Sequence, residues 1–189
     1  MPIAVANVWG ETSSLAVSMK QSKKITLTAL CTALSVVLLF FGSVLDTAEL
    51  AMAAIASLPI LFIKAECGKP YPLLLWLSAS LISFLTLPVK SVALVYALLT
   101  GHYPLFKGVA ERLPPVFSLL AKLSLFAALA AFYYYLAEKL LLLPEAGPWF
   151  FVILGVLGLT AFFLYDLALS RLIVFYAYRI RPRIARFLH

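Results

Sequence analysis

The chain has 189 residues, of which 64% are hydrophobic and 12% are charged. A soluble domain is about a quarter charged, so this composition excludes an ordinary soluble domain and indicates that lipid covers much of the surface. The length allows one domain, with no room for a separate soluble enzyme or nucleotide-binding domain. The formal charge of +7 lies mainly where membrane orientation places basic residues, so no nucleic-acid partner is expected.

The first 24 residues are expected to form a flexible N-terminal leader. Lys20, Lys23 and Lys24 follow the mildly apolar part of this segment, which is the reverse of a signal peptide. Met19 opens a second plausible start directly before the first apolar run. Residues 1–18 are therefore interpreted as an added leader or an upstream start, with a short interfacial helix as the alternative.

Six apolar segments follow, and they predict an all-α bundle of six transmembrane helices within one membrane domain, residues 25–178. A helix needs about 20 residues to cross the hydrocarbon, so the second to fourth segments are short and require a thinned bilayer or snorkelling flanks. Pro104 lacks a backbone donor and should bend the end of the fourth segment. The predicted spans cover residues 25–45, 50–63, 71–87, 89–106, 116–137 and 149–170.

The basic residues between these segments predict the orientation. One set of links carries eleven of them: Lys20, Lys23, Lys24, Lys64, Lys69, Lys107, Arg112, Arg179, Arg181, Arg183 and Arg186. The opposite set carries two, Lys90 and Lys139. Since basic residues concentrate on the cytoplasmic side, both termini are expected in the cytoplasm, residues 179–189 as a basic tail. The predicted location is a bacterial plasma membrane, crossed several times.

Small residues recur at four-residue spacing in two segments. Ala29 and Ala33 form such a pair in the first, and Ala93, Ala97 and Gly101 continue the pattern in the fourth. Small residues let helix backbones approach closely in a membrane. The pattern is explained by packing within the bundle or by docking against another membrane protein.

Charged residues near the predicted outer ends suggest the rim of a ligand cavity. Four of the six are acidic, which favours a small cationic or zwitterionic, partly apolar ligand. Tyr96 could add a hydroxyl and Trp149 a flat wall; solvated helix caps and aromatic anchoring at the interface are the alternative explanations. The six charged residues are Asp46, Glu49, Lys90, Glu138, Lys139 and Glu145.

Asp166 lies inside an otherwise apolar segment, where an unpaired carboxylate is costly. It lies five residues above Arg171 on the sixth span, or about 7.5 Å at 1.5 Å per residue. Lys122 lies six residues above the inner end of the fifth span, or about 9 Å. The two charges are therefore at nearly the same depth on adjacent helices, and we expect them to form an intramembrane ion pair. Arg171 is the second-choice partner.

No residue pattern supports enzyme or metal chemistry. Cys31 and Cys67 lack metal spacing and are interpreted as free thiols. His102 has no neighbouring Cys, Asp or His. The sequence contains no Ser-His-Asp pattern, no paired intramembrane carboxylates, no phosphate loop and no His-x-x-x-His. We expect no catalytic residue, no cofactor and no metal site.

A basic start, Lys23-Lys24, leads directly into a helix carrying Ala29-x-x-x-Ala33, and six short spans follow in under 200 residues. This layout resembles the substrate-binding S components of energy-coupling factor vitamin transporters, and uncharacterised S-component-like bacterial membrane proteins. The resemblance implies that Ala29 and Ala33 contact a transmembrane coupling subunit, with ATPases in trans. It also implies an outward-facing cavity for a small-molecule substrate, near six residues: Asp46, Glu49, Lys90, Tyr96, Glu138 and Trp149.

Three functions therefore compete. The first is a substrate-capture subunit that depends on partner ATPases. The second is a structural or scaffold membrane protein of the cell envelope without transport activity, similar in layout to rod-shape-determining subunits. The third is a stand-alone channel, carrier or membrane enzyme.

The topology can be tested with reporter fusions. Reporters fused after His189 and after Cys67 should report a cytoplasmic location, and a reporter fused after Leu142 should report the exterior. The physical reason is the distribution of eleven basic residues against two between the faces. An exterior signal at the C terminus would contradict the six-span topology.

Overall fold

The structure is a computed structural model that describes residues 20–45, 48–68, 70–110, 114–141 and 148–180. Within these ranges the regular structure is helical and no strand occurs. Two short stretches, π1 and π2, are π-helical, so their amides bond to carbonyls five residues back instead of four. The elements are α1 Gln21–Val44, α2 Glu49–Ala56, α3 Leu58–Cys67, α4 Pro70–Thr86, α5 Lys90–Val95, π1 Tyr96–Thr100, α6 Tyr103–Ala110, α7 Pro115–Leu141, α8 Pro148–Phe175 and π2 Tyr176–Ile180.

Within the described ranges, four helical stretches are long and apolar enough to cross a membrane: Gln21–Val44, Glu49–Cys67, Val116–Leu136 and Gly155–Phe175. The predicted all-α architecture is thus confirmed for the described residues, and the length and composition of these four stretches suggest a membrane-embedded protein. α4 is a shorter apolar helix of 17 residues. The predicted fourth span, residues 89–106, consists of α5, π1 and the start of α6, with an interruption between π1 and α6.

Three predicted boundaries also change. α1 begins at Gln21, so the helix includes the last residues of the predicted leader. The predicted loop over residues 64–70 is largely helical, because α3 continues to Cys67. Gly68 then takes a positive φ of 88°, which glycine adopts without steric cost, and Pro70 opens α4, where a missing N–H is tolerated.

Side-chain contacts give the relative direction of neighbouring helices. Thr32 on α1 contacts Ser78 on α4, and Lys24 lies over the Tyr71 ring. The nearly constant offset of 46 to 47 residues means that α1 and α4 are parallel. The same reasoning makes α6 parallel to α8, since Tyr103–Asp166 and Lys107–Ser170 share an offset of 63 residues. It also makes α3 parallel to α8, through the pairs Ser57–Tyr165 and Glu66–Tyr176. α7 runs opposite to α8, since Lys122 and Phe126 meet Asp166 and Phe162 respectively.

The outer helices carry apolar residues on their exposed face and small or hydroxyl residues on their buried face. α1 buries Thr28, Thr32 and Ser35 and exposes Leu30 and Leu34. The threonine hydroxyls donate to carbonyls four residues back, at 2.7 and 2.9 Å, so their burial leaves no orphaned group. Such an inverted pattern fits lipid, where exposed leucine costs nothing and small residues improve helix packing.

The second apolar stretch, formed by α2 and α3, lies at the centre. In its most apolar window 56% of the residues are buried, against 11% for α7 and 17% for α8. Leu39, Ala56, Ile60 and Leu75 belong to the core that α1 to α5 form around it. α7 and α8 therefore lie at the periphery, and they present most of their surface outward.

Candidate functional site at two interrupted helices

The first interruption separates α2 from α3. The amide of Ser57 bonds Ala54 O at 3.2 Å and the amide of Ile60 bonds Ser57 O at 3.1 Å, each one residue short of the α-helical partner. As a result the carbonyls of Ala53 and Ala56 lose the amides that a continuous helix would supply. Pro59 adds to the break, because it has no N–H to donate to Ile55.

Hydroxyl side chains from two other helices satisfy these carbonyls. Thr100 Oγ1 donates to Ala53 O at 3.1 Å, and Ser35 Oγ donates to Ala56 O at 2.9 Å. Both side chains are buried. An unsatisfied carbonyl in this apolar setting would cost about 1–3 kcal/mol, so the interruption depends on both hydroxyls.

The second interruption lies at the end of π1. The Gly101 amide bonds Tyr96 O at 2.7 Å, a π-type bond that leaves Ala97 O without its usual donor. The indole Nε1 of Trp76 donates to Ala97 O at 3.1 Å. Gly101 also permits close packing, since a Cβ here would lie 2.7 Å from Trp76 Cδ1.

Pro104 leaves one more backbone carbonyl at this interruption, that of Thr100, without its usual donor. In a continuous helix residue 104 would donate its N–H to Thr100 O, and proline has none. The Tyr165 hydroxyl of α8 donates to Thr100 O at 2.9 Å in its place. The sequence predicted a bend at Pro104, and the observed interruption lies just before it, at residues 101–102; the sequence did not indicate this partner.

The two interruptions meet at Tyr165. Its hydroxyl lies 2.6 Å from Ser57 Oγ at the first break, while it donates to Thr100 O at the second. Tyr96 is fully buried nearby in the core. Its hydroxyl has no hydrogen-bond partner within the described part of the chain. The centre of the bundle therefore combines interrupted backbone with uncharged oxygen groups.

Asp166 follows Tyr165 and carries a second polar cluster. Its Oδ1 accepts from Tyr103 OH at 2.5 Å, and both carboxylate oxygens lie 3.3 Å from Lys122 Nζ. Lys107 forms the closest ion pair with Asp166. The same ammonium donates to Asp166 O at 3.1 Å and to Ser170 Oγ at 2.8 Å. The cluster links α6, α7 and α8.

The structure thus brings together Asp166 and Lys122, the expected pair, and adds Lys107, which sequence reasoning missed. Lys107 was assigned to a polar connection from residue 107 to 115, but it lies in α6 and is fully buried. Without Lys107, the predicted cytoplasmic links still carry ten basic residues, against two in the opposite links. The second-choice partner, Arg171, is exposed.

Only some of the residues predicted to bind the ligand lie close to one another. Glu49 accepts from Ser91 Oγ at 3.0 Å, which places it beside Lys90. Lys90 Nζ donates to Phe84 O and Leu87 O, so it caps the end of α4. Tyr96 is buried in the core. Asp46 lies outside the described residues, as do the side chains of three others: Glu138, Lys139 and Trp149.

The two patterns of small residues lie in different surroundings. Ala29 and Ala33 are exposed on α1, so they do not contribute to packing within the described bundle. Ala93 and Gly101 are buried, which assigns the second pattern to internal packing. Among the described residues no group of three or more His, Cys, Asp or Glu side chains could hold a metal.

No protein-family model, no curated protein and no solved structure matches the chain. The functional argument therefore depends on the residues and contacts described above.

The ion cluster gives a prediction for stability. Lys107→Met and Asp166→Asn should each lower the free energy of unfolding by about 3 kcal/mol, because each leaves a buried charge without its main partner. The double variant should lose clearly less than the sum, as thermal unfolding in detergent would measure in a double-mutant cycle. Lys122→Met should show weaker coupling to Asp166→Asn.

Arg171→Gln is the matched control on α8, and it should change the unfolding free energy by less than about 0.5 kcal/mol. Additive losses for the Lys107 and Asp166 variants would show that the two residues do not act together.

Proposed function

We propose that this chain is the substrate-binding membrane subunit of an uptake transporter, which captures a small molecule from the outer face and receives energy from partner ATPases. The observation that carries the proposal is the meeting of two interrupted helices around Tyr165 in the centre of the bundle. In membrane transporters, interrupted helices form the substrate and ion sites, because they free backbone groups for binding.

The ligand site extends from the outer end of the bundle towards these interruptions. Glu49, Ser91 and Lys90 lie at its outer end. Tyr96 follows five residues after Ser91, about 7.5 Å further in at 1.5 Å per residue. Its buried hydroxyl, without a partner in the described residues, supplies a hydrogen-bond donor. The acidic residues of the outer links favour a small cationic or zwitterionic ligand.

The α1 surface around Ala29 and Ala33 docks the coupling subunit. Both alanines are exposed, and Leu30 and Leu34 extend the same apolar surface. Small residues on an exposed membrane helix let a partner helix approach closely. The proposal therefore assigns this surface to the partner rather than to lipid alone.

The proposed topology has six crossings with both termini in the cytoplasm of a bacterial cell. It agrees with the helix directions described above: α1 is parallel to α4, α3 and α6 are parallel to α8, and α7 is opposite to α8. It requires that the 17-residue α4 and the interrupted Lys90–Ala110 stretch also cross, with local thinning of the bilayer.

A structural membrane protein of the cell envelope is the second candidate. The observation in its favour is that the polar groups at both interruptions bond mainly to one another, so the network can stabilise a fixed bundle without any ligand.

Native mass spectrometry of the purified protein tests ligand binding. The wild-type protein should retain a small molecule, and Tyr96→Phe should retain at least tenfold less, because one lost hydrogen bond costs about 1.5 kcal/mol. The variant should fold normally, since the hydroxyl has no partner among the described residues. Tyr135→Phe, at an exposed tyrosine of α7, is the control. Equal retention in wild type and Tyr96→Phe would contradict the site, and an empty wild-type protein would favour the structural candidate.

Co-purification of partner subunits tests the docking surface. Replacing both Ala29 and Ala33 by Leu adds bulk at a close helix crossing and should weaken partner recovery at least tenfold, with an unchanged unfolding temperature. The matched control replaces Ala127 and Ala131 by Leu, an exposed pair with the same spacing on α7. Partner loss in the α7 variant alone would place the docking surface elsewhere, and unfolding of the α1 variant would mean that Ala29 and Ala33 belong to the core.

A further inference from the structure

The start of α1 and the segment that follows α8 lie at the same end of the bundle, beside the junction of α3 and α4. Lys24 Nζ lies 5.9 Å from the centre of the Tyr71 ring, in the first turn of α4. In the last turn of α3, Glu66 accepts a hydrogen bond from Tyr176 OH of π2 at 2.8 Å. The rings of Phe62 and Tyr176 also pack edge to face, with 5.6 Å between their centres. Both segments are therefore held at one junction.

This end carries the exposed basic side chains of the described residues, which we call the basic rim. Two lie at the start of α1, one in the last two turns of α8 and one in π2: Lys20, Lys23, Arg171 and Arg179. The carboxylate at the junction, Glu66, is only 2% exposed. At the opposite end Lys90 is half-buried and donates to two backbone carbonyls. Within the described part of the chain, exposed positive charge is thus confined to one end of the bundle.

Apolar side chains accompany the basic rim on the same helices. Ile25, Phe175 and Tyr178 are all exposed, and each lies within four residues of a rim residue. Aromatic side chains concentrate at the border between hydrocarbon and headgroups, and the stems of Lys and Arg lie along apolar surface while their charged ends reach water. A surface that combines positive charge with exposed apolar side chains matches a lipid, which carries a charged headgroup and acyl chains. A free anion would use only the charges.

We propose that the basic rim binds the headgroups of anionic phospholipids. The headgroup phosphate accepts hydrogen bonds from ammonium and guanidinium groups, and an arginine can donate two to one phosphate. Each basic residue near an anionic membrane surface strengthens binding by about fivefold. In the proposed topology the rim faces the cytoplasmic leaflet, but lipid binding by the rim depends neither on that orientation nor on the proposed uptake function.

Native mass spectrometry of the full chain, released from mixed micelles, tests the lipid preference. The micelles contain detergent with equal amounts of phosphatidylglycerol and phosphatidylcholine that have the same acyl chains, so the two lipids differ in headgroup alone. We expect the wild-type protein to retain at least tenfold more phosphatidylglycerol than phosphatidylcholine. A higher NaCl concentration in the micelle solution should reduce this preference, because salt screens exposed charges.

Lys23→Gln and Arg179→Gln should each reduce the preference for phosphatidylglycerol by about threefold to fivefold, and the double variant should lose most of it. Both residues are exposed, so these variants should keep the wild-type unfolding temperature in lipid-free detergent. Lys90→Gln is the matched control: it removes one positive charge at the opposite end and should leave the preference unchanged.

Equal retention of the two lipids by the wild-type protein would overturn the proposal. An equal loss of preference in Lys90→Gln and Arg179→Gln would also overturn it, because net charge and not the rim would then determine retention. Sodium phosphate at the concentration of the anionic lipid should not displace phosphatidylglycerol. Displacement by phosphate would show that the rim binds a free anion instead of a lipid.

Discussion

The interior of this bundle depends on one constraint: lipid offers no hydrogen-bond donor to a backbone carbonyl. The breaks at Ser57 and at Gly101 remove amide donors from carbonyls in the middle of apolar helices, and each must find a donor within the protein. Ser35, Trp76, Thr100 and Tyr165 supply them from four different helical segments. The positions of the surrounding helices are therefore tied to the interruptions, because each donor must lie within hydrogen-bond reach of one particular carbonyl.

The same constraint explains how α8 is attached. Polar side chains of α8 reach the core: Tyr165 bonds to the interrupted helices, and Asp166 binds the lysines of α6 and α7. In π2, which continues α8, Tyr176 OH donates to Glu66 at 2.8 Å. Ring contacts of Phe162 with Tyr103 and Phe126 add apolar packing. Between apolar helices in lipid there is no strong hydrophobic drive for association, so a helix attached by polar groups is held in one register by their geometry.

Part of this arrangement could be predicted from sequence. Apolar runs separated by polar links indicated the helices, and counting residues from the inner ends placed Asp166 and Lys122 at one depth. Lys107 was missed because apolar character ends near Phe106, so the lysine was counted as a link; α6 in fact continues past it. The roles of Ser57 and Tyr165 were equally hidden. Hydroxyl residues are common in membrane helices, and only the three-dimensional contact shows which carbonyl each one serves.

The interruptions themselves indicate where function lies. A continuous helix would satisfy Ala53, Ala56 and Thr100 with its own amides and would need no buried hydroxyls from elsewhere. Breaking the helices adds buried polar groups that are stable only when every partner is present, and such arrangements persist mainly where the freed groups are used. Ser57 and Tyr165 join the two breaks through one contact between hydroxyl groups, so a displacement of α8 changes the hydrogen bonds at both breaks together.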